Sequence, residues 1–476
     1  MIDRLLDLVK NDRIRFVGTK YLTYLVYFII SIIIANKLGL FYFGIYGFLK
    51  LLMQYFAYTN LGVNYSGIVI MSEQTKLDDK KNLLILNSSL CISVFCFAAC
   101  ISLFVLGYKT IFPEINDKYL VDSYIYYICV IVVFKQINQI FINLNRIYNR
   151  LKVINWAYLI PCIAEFVVLA FGSEEVLLRN IMWAMMISNG LVTLLFYLRN
   201  PFEINWCIDR FISSIIITRG LKLLFYNISF YFIILIAKSF MSSHYPVEEF
   251  AQYSFSYNIS EAVMLLNNSI SFLIYPTLLN KFHTVGDVGE KLKIMKQTQD
   301  TYMAVANMII VIVFMFVPFL SYIVPEYSES RHILLVLLLG QLLIANTFTI
   351  CTNMVQNKKE TSLMAIGGIS CMLLYGICNL VYWFNPDIVF VSYGLPITLV
   401  VYNIAVSLLN IFIMKLPLRF LLSFTNPQFF IPLIAALLCI HFTDYIFSFI
   451  IYIVLCVIFL HSVYKQIFIN YAKVGK

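Results

Sequence analysis

Five ionisable side chains lie inside long apolar runs of this sequence, and they determine the chemistry that it could perform. They are Lys50, Lys135, Glu165, Lys238 and Glu261. An ionised side chain at the centre of a bilayer costs about 3 kcal/mol or more unless it faces protein or water. Their presence therefore predicts a protein-lined path that a charged ligand or an ion could use.

Two of these charged residues have polar neighbours at helical spacing and form a polar stripe with them. Gln54 follows Lys50 by four residues, and Asn138 and Gln139 follow Lys135 by three and four. Residues three or four apart lie on one side of a helix, so each stripe should face a cavity or another helix. Three lysines against two glutamates favour an anionic ligand, because cations can replace the hydration that its charged groups lose.

The predicted ligand-binding set combines the lysines with polar residues on such stripes. It consists of Lys50, Gln54, Lys135, Asn138, Gln139, Lys238 and Asn346. Glu165 and Glu261 have two interpretations: they are ion-pair partners of the lysines, or they bind H⁺ or Na⁺ during a transport cycle. A structural ion pair is also an alternative for Lys135, and Lys238 could extend its ammonium to the membrane surface.

The composition shows which class of protein must position these residues. Of 476 residues, 61% are apolar and 12% are charged, whereas a soluble domain has about 25% charged residues. Apolar runs of about 20 residues, the length that crosses a bilayer, recur along the whole chain. This excludes a soluble enzyme, a nucleic-acid-binding domain and a secreted disulfide scaffold. The sequence predicts an all-α polytopic membrane protein.

Fourteen membrane spans are predicted, and the last two could instead form a re-entrant hairpin. The spans cover residues 16–36, 43–71, 83–107, 121–143, 154–171, 178–198, 221–241, 250–276, 301–323, 332–353, 362–384, 388–413, 428–442 and 446–464. With the N-terminus in the cytoplasm, the inner segments contain 26 Lys and Arg residues and the outer segments contain 5. Cytoplasmic loops are the more basic ones, so both termini should be cytoplasmic.

The sequence also contains an internal repeat. Phe43-Gly44-x-Tyr46 matches Phe250-Ala251-x-Tyr253 at an offset of 207, and Asn145-x-x-x-Asn149-Arg150 matches Asn353-x-x-x-Asn357-Lys358 at 208. Six spans separate the two copies, so both halves should insert in the same orientation, as in parallel-repeat transporters.

The repeat divides the chain into four predicted regions. Residues 1–198 form a six-helix lobe, 199–220 a cytoplasmic linker, 221–413 a second six-helix lobe, and 414–476 two additional helices with a cytoplasmic tail.

These motifs resemble the Wzx-type O-antigen and polysaccharide flippases. In the first half the resemblance is carried by Lys37, Leu38-Gly39, Phe43-Gly44-x-Tyr46 and Leu61-Gly62, and in the second half by Glu248-Glu249-Phe250-Ala251-x-Tyr253 and Tyr275-Pro276. It implies the fold of the multidrug and toxic-compound extruders, with two six-helix lobes around a central cavity.

The same resemblance implies an activity, a location and partners. The activity is movement of an undecaprenyl-pyrophosphate-linked oligosaccharide to the outer leaflet of the cell inner membrane by alternating access. The implied partners are this cargo, membrane lipids, and the polymerase and chain-length regulator of the same pathway; nucleic acid is not among them.

Several motifs of other protein classes are absent from the sequence. It contains no Gly-x-x-x-x-Gly-Lys-[Ser/Thr] and no His-Glu-x-x-His, and its five histidines are scattered. ATP-driven transport by this chain alone is thus excluded, and we expect no catalytic residue, metal site or cofactor. The alternatives are a multidrug or cation exporter or a lipid II flippase of the same fold, and a membrane polysaccharide polymerase, which would need a larger outer loop.

Overall fold

The computed structural model describes residues 12–72, 78–111, 113–200, 202, 204–261, 287–440 and 445–474, and helices make up nearly all of them. The first nine helices are α1 (Asp12–Phe56), α2 (Val63–Ser72), α3 (Asp79–Ile111), α4 (Pro113–Tyr119), α5 (Val121–Ile147), α6 (Leu151–Val168), α7 (Glu174–Leu198), α8 (Arg210–His244) and α9 (247–261). The remaining eight are α10 (Val288–Ile323), α11 (Ser330–Gln356), α12 (Glu360–Phe384), α13 (Ile388–Ser392), α14 (Gly394–Ile413), α15 (Leu421–Thr425), α16 (Ile431–Ile440) and α17 (Tyr445–Val474).

The prediction of a polytopic helical membrane protein is confirmed. In the described part of the chain, nine helices are long and apolar enough to cross a membrane, or ten if the bent pair Leu418–Phe429 and Ile431–Ile440 forms one span. That pair is bent by 51° at the break. The predicted span 250–276 begins in α9, and its residues from 262 onward lie outside the described residues.

The second predicted span is interrupted near its middle in the structure. The helix at its start is separate from the first span, as predicted, because α1 (Asp12–Phe56) comprises two helices that meet at a kink at Gly39. Gly39 has φ 67° and ψ 175°, a conformation that a residue with a Cβ rarely adopts. The helix then stops before Gly62, where a Cβ would lie 2.0 Å from the carbonyl oxygen of Gly220. Gly39 therefore marks where the chain bends before this span, and Gly62 marks where the span is interrupted.

The chain divides into two compact units. The first comprises residues 1–227 together with 242–251, and the second comprises 228–241 together with 252–476. In the first unit α5, α6 and α7 pack together with α1. In the second unit α11 is buried almost throughout and packs against α10 and α14, as expected of a helix that is apolar on nearly every side. The lobe boundaries predicted from the repeat stay predictions.

Candidate functional site

The candidate site lies in the first unit, where three of its helices each contribute one ionisable residue. The second half of α1 carries Lys50, α5 carries Lys135 and α6 carries Glu165. Pro161 lies inside α6, one turn before Glu165. A proline inside a helix cannot donate the backbone hydrogen bond to the residue four positions earlier, so the helix is locally weakened in the turn that precedes the one carrying Glu165.

Lys50 is positioned by an aromatic neighbour on its own helix. Its ammonium lies 5.2 Å from the ring centroid of Tyr46, one turn earlier, and the two side chains also hydrogen bond. Tyr46 is buried, with 4% of its surface exposed, while Lys50 is half-buried. A cation close to a desolvated ring gains cation–π attraction in addition to the hydrogen bond. The Tyr46 side chain thus limits where the Lys50 ammonium can go.

Glu165 is the electrostatic centre of the cluster. Its side chain is only 7% exposed, and its strongest electrostatic partner is Lys135, followed by Lys50. Tyr27, on the first half of α1, also interacts electrostatically with this carboxylate. Two ammonium groups around one carboxylate leave a net charge of about +1, which an anionic ligand would neutralise.

Lys135 combines two features that rarely occur together. Its side chain is exposed, yet it interacts electrostatically with the buried Glu165 and with Lys50. For binding the accessibility is decisive, because it measures whether a ligand atom could reach the ammonium. Lys135 is therefore a side chain that a polar ligand could contact inside the membrane.

The polar neighbours of Lys135 serve two different purposes. Gln139 is exposed and donates a hydrogen bond to Asn143 at 3.3 Å, so it faces the same accessible side as Lys135. Asn138 is buried; it donates to the backbone oxygen of Asn189 at 3.0 Å and accepts from Thr193 at 2.9 Å. Asn138 thus joins α5 to α7, and in this conformation its amide is engaged with protein.

Gln54 lies one turn beyond Lys50 on α1 and is half-buried. The carboxyl end of the same helix is contacted by Gln136 of α5, which donates to the backbone oxygen of Phe56 at 2.9 Å and to Thr59 at 3.0 Å. Carbonyl groups at the end of a helix have no partner within it, and Gln136 satisfies one of them. It thereby ties the helix carrying Lys50 to the helix carrying Lys135.

A second cluster is internal to the second unit. The ammonium of Lys238 lies 3.5 Å from the ring centroid of Tyr257, and the lysine is 7% exposed. Tyr257 also hydrogen bonds with Gln341 and interacts electrostatically with Glu261, which is half-buried. The alternative in which Lys238 extends outward to the membrane surface does not describe this structure, because the ring of Tyr257 holds its ammonium inside the protein.

Asn346 occupies a different environment from the other predicted binding residues. It is fully buried, donates to Asn403 at 3.0 Å and to the backbone oxygen of Phe424 at 3.0 Å, and accepts from Gln299 at 2.7 Å. Gln299 donates to the same Phe424 oxygen at 2.8 Å. The structure therefore places Asn346 in a network that connects α10, α11, α14 and α15, away from any accessible surface.

Some residues of these clusters were not among the predicted ligands. Tyr46 and Tyr27 contact the charges of the first unit, and Gln341 contacts Tyr257 in the second. Tyr46 could have been found from its position four residues before Lys50 on the same helical face. Gln341 and Tyr27 lie on other helices or helix segments, and no local pattern points to them. Among the described residues, no group of three His, Cys, Asp or Glu side chains could hold a metal ion.

Comparison with known proteins identifies the fold. No protein-family model and no curated protein matches this sequence. Among solved structures, an inward-facing multidrug resistance MATE family transporter of the MOP superfamily is similar with a TM-score of 0.66 and 12% identity, over 83% of this chain and 94% of that one. The fold is MATE-like. The lipid II flippase MurJ in an inward closed conformation is similar with a TM-score of 0.60 and 12% identity, over 96% of this chain and 100% of that one.

An outward-facing MATE family transporter is also similar, with a TM-score of 0.59 and 12% identity over 85% of this chain and 96% of that one. Identities this low establish the shared fold and nothing about the cargo. Within that fold, the chemistry of the ligand has to be argued from the side chains of this chain.

Proposed function

We propose that this protein is a flippase that moves an undecaprenyl-pyrophosphate-linked oligosaccharide from the cytoplasmic to the outer leaflet of the inner membrane. The observation that carries the proposal is the cluster of Lys50 and Lys135 around the buried Glu165 in a chain with a MATE-like fold. A pyrophosphate is polyanionic. Inside a bilayer it needs cationic partners to replace its lost hydration, and Lys135 is the exposed cation of this cluster.

The arrangement suggests how the cargo headgroup exchanges with Glu165. Without cargo, the Glu165 carboxylate partly neutralises both lysines and reduces the electrostatic repulsion between them. When the pyrophosphate enters, its oxygens take the ammonium donors of Lys135 and Lys50, and each charge-assisted contact contributes about 1.5–3 kcal/mol. Tyr46 keeps the Lys50 ammonium close to the position at which the second phosphate would arrive.

Release of the headgroup requires the opposite exchange. Glu165 can compete for the two lysines once the cavity opens to the outer side and water rehydrates the phosphates. Uptake of H⁺ or Na⁺ by Glu165 or Glu261 would change that competition and is the simplest route for coupling to an ion gradient. The transport cycle proposed here is alternating access, with both chain termini in the cytoplasm.

A transport assay with the purified full-length chain tests the proposal. Proteoliposomes are loaded with a fluorescent polyprenyl-pyrophosphate disaccharide, and an impermeant quencher reports how much of it reaches the outer leaflet. We expect protein-dependent flipping that Lys135→Ala slows at least about tenfold and that Lys109→Ala, which removes an exposed charge in the last turn of α3, leaves intact. The absence of protein-dependent flipping with any lipid-linked saccharide would refute the proposal.

The same vesicles separate the alternatives that share this fold. A multidrug or cation exporter would move a lipophilic cationic dye, but a site with two lysines around one carboxylate disfavours cations. A lipid II flippase would move the lipid-linked muropeptide in preference to other lipid-linked sugars. Comparing the three cargoes at equal concentration assigns the class, because all three outcomes use one preparation.

A further inference from the structure

The helices that carry Lys50, Lys135 and Glu165 also bring another pair of cations together. Lys20 lies in the first half of α1 and Arg146 in the last turn of α5, and the two side chains interact electrostatically. Lys20 is buried, with 7% of its surface exposed, whereas Arg146 is half-buried. Two positive charges that act on each other in a partly desolvated place repel, and an anion bound to them relieves that repulsion.

Aromatic rings fix the position of Lys20. Its ammonium lies 4.9 Å from the ring centroid of Tyr158 on α6 and 5.2 Å from that of Phe16 on its own helix. Tyr158 also interacts electrostatically with Arg146, so one side chain of α6 acts on both cations. A neutral ring offsets part of the cost of burying an ammonium but removes none of its charge. The Lys20–Arg146 pair is therefore held in place without losing its positive charge to these rings.

Helix geometry puts this pair on the same faces of α1 and α6 as the Glu165 cluster. Lys20 precedes Tyr27 by seven residues, and Tyr158 precedes Glu165 by seven. Seven residues are close to two turns, so the members of each pair share a helix face and lie about 10 Å apart along the axis. Lys20 is close to Tyr158, and Tyr27 interacts with Glu165. The two helices therefore run in the same direction and meet at both positions.

The third helix, α5, passes both positions in the opposite direction. Arg146 follows Lys135 by eleven residues, which is close to three turns and about 16 Å along the same face. Lys135 interacts with Glu165, and Arg146 interacts with Tyr158. On this face of α6, a tyrosine next to Lys20 and Arg146 thus takes the place that a carboxylate has next to Lys135. A neutral side chain at that place leaves the pair more attractive to an anion.

We propose that Arg146 and Lys20 form an entry site, which binds the phosphate groups of the lipid-linked cargo before they reach Lys135. The proposal rests on the proposed transport function, because it assigns an earlier step on the same path. Residues 1–20 and 144–153 are predicted to be cytoplasmic from their Lys and Arg content. Lys20 ends the first of these segments and Arg146 lies in the second. The entry site is therefore at the end of the three helices where the cargo is made.

The two cations contribute in different ways. The guanidinium of Arg146 is half-buried and presents several donors in one plane, which match two oxygens of a phosphate. Lys20 is buried, so its charge attracts the anion while Arg146 makes the contact. From there the headgroup moves along the face of α5 to Lys135, where Lys50 supplies another cation.

Binding to the purified full-length protein tests the entry site. The background variant Lys50→Met/Lys135→Met/Glu165→Gln removes the charges of the other cluster together, so that no carboxylate is left without its cations. The probe is a fluorescent polyprenyl pyrophosphate in detergent micelles. We expect remaining binding that Arg146→Gln weakens at least about tenfold, the effect of losing one charge-assisted contact. Arg146→Lys should recover part of the affinity, and Lys20→Met should weaken binding by a smaller factor.

A matched control removes a positive charge elsewhere on the predicted cytoplasmic side. Lys80, in the first turn of α3, is exposed, and Lys80→Met should leave the affinity for the probe unchanged. The midpoint of thermal unfolding, measured without probe, shows that each variant is folded. If Arg146→Gln protein does not accumulate, Lys20→Met in the same background provides the measurement, and an unchanged affinity there overturns the entry site.

Competition with unlabelled lipids identifies the source of the phosphate. Polyprenyl pyrophosphate carries more negative charge and more acceptor oxygens than a phospholipid headgroup, so it should displace the probe at lower concentration than phosphatidylglycerol does. Equal displacement by the two lipids would show that the site binds anionic phospholipid, and it overturns the assignment to cargo.

The outcomes for the entry site and for the proposed function are separable. Equal probe affinity of the Arg146→Gln and Lys80→Met variants overturns the entry site, even if lipid-linked saccharide is flipped normally. Binding that depends on Arg146, together with no flipping of any lipid-linked saccharide, supports an anion site and refutes the proposed transport. Binding and flipping that both depend on Arg146 support the two proposals, whereas normal flipping by Arg146→Gln overturns its role in cargo entry.

Discussion

Replacing Lys135 by alanine removes the exposed ammonium of the first cluster. The loss deprives a pyrophosphate of a charge-assisted contact, about 1.5–3 kcal/mol, which corresponds to about 10- to 150-fold in affinity. It also leaves the buried Glu165 with Lys50 as its remaining cationic neighbour in the cluster. Because that second lysine is present, we expect the variant to fold and to accumulate normally.

Two measurements distinguish binding from a structural ion pair. One is the amount of protein in the membrane, and the other is the flipping rate per molecule in proteoliposomes. A binding role predicts normal amount with at least about tenfold slower flipping, and no recovery when Glu165→Gln is added. A structural pair predicts a low amount of Lys135→Ala protein that the double variant restores, because stranding one partner of a buried pair costs several kcal/mol.

The conservative substitution Lys135→Arg tests whether the positive charge alone is sufficient for flipping. Arginine keeps the charge and should retain most of the flipping, although its planar group need not fit the same contacts. Normal amount and normal flipping by Lys135→Ala would show that this residue does not bind the cargo headgroup.

Three further predictions concern other parts of the chain. A cysteine at position 293 should react with impermeant reagents only after the cells are permeabilised, and labelling in intact cells would contradict the predicted topology. Asn346→Leu should lower the midpoint of thermal unfolding, since it leaves buried partners such as Asn403 without a hydrogen bond, at a cost of about 1–3 kcal/mol. Flipping per folded molecule should stay normal. Loss of flipping at unchanged stability would instead show that Asn346 contacts the cargo. Lys238→Met should slow flipping less than Lys135→Ala, because the Lys238 ammonium already lies 3.5 Å from the ring centroid of Tyr257. An equal or larger loss of flipping in the same assay would make the second cluster the main binding site.

The helical fold could be predicted because apolar runs of bilayer length leave few other solutions. The break before Gly62 could not, because it depends on a close approach to Gly220, which is distant in the sequence. In the same way, the sharp turn between the first two predicted spans could not be predicted, because the two helices of α1 meet directly at Gly39, whose φ of 67° and ψ of 175° are not helical. Hydropathy identifies membrane segments but carries no information about such backbone contacts.

The charged residues of the site could be identified from sequence, but not the role of every polar neighbour. Gln139 and Asn138 are adjacent on one predicted stripe, yet the first is exposed and the second bonds to α7. Helical spacing defines a face about 100° wide, and the boundary between a cavity and a neighbouring helix falls inside that face. Asn346 shows the same limit, because a polar stripe that faces other helices has the same spacing as one that faces water.

Within the predicted internal repeat, corresponding positions of the two halves carry different chemistry. The offset of 207 aligns Lys50 with Tyr257, so a position that carries a cation in the first half carries a ring in the second. In the first unit the ammonium of Lys50 lies near Tyr46, one turn away on its own helix. In the second unit the cation is Lys238, which comes from another helix. In both units an ammonium lies close to a tyrosine ring, but the two residues share a helix in the first unit and come from different helices in the second. The pairing is therefore better explained by the stabilisation that a ring gives to a charge inside the membrane than by inheritance of one motif.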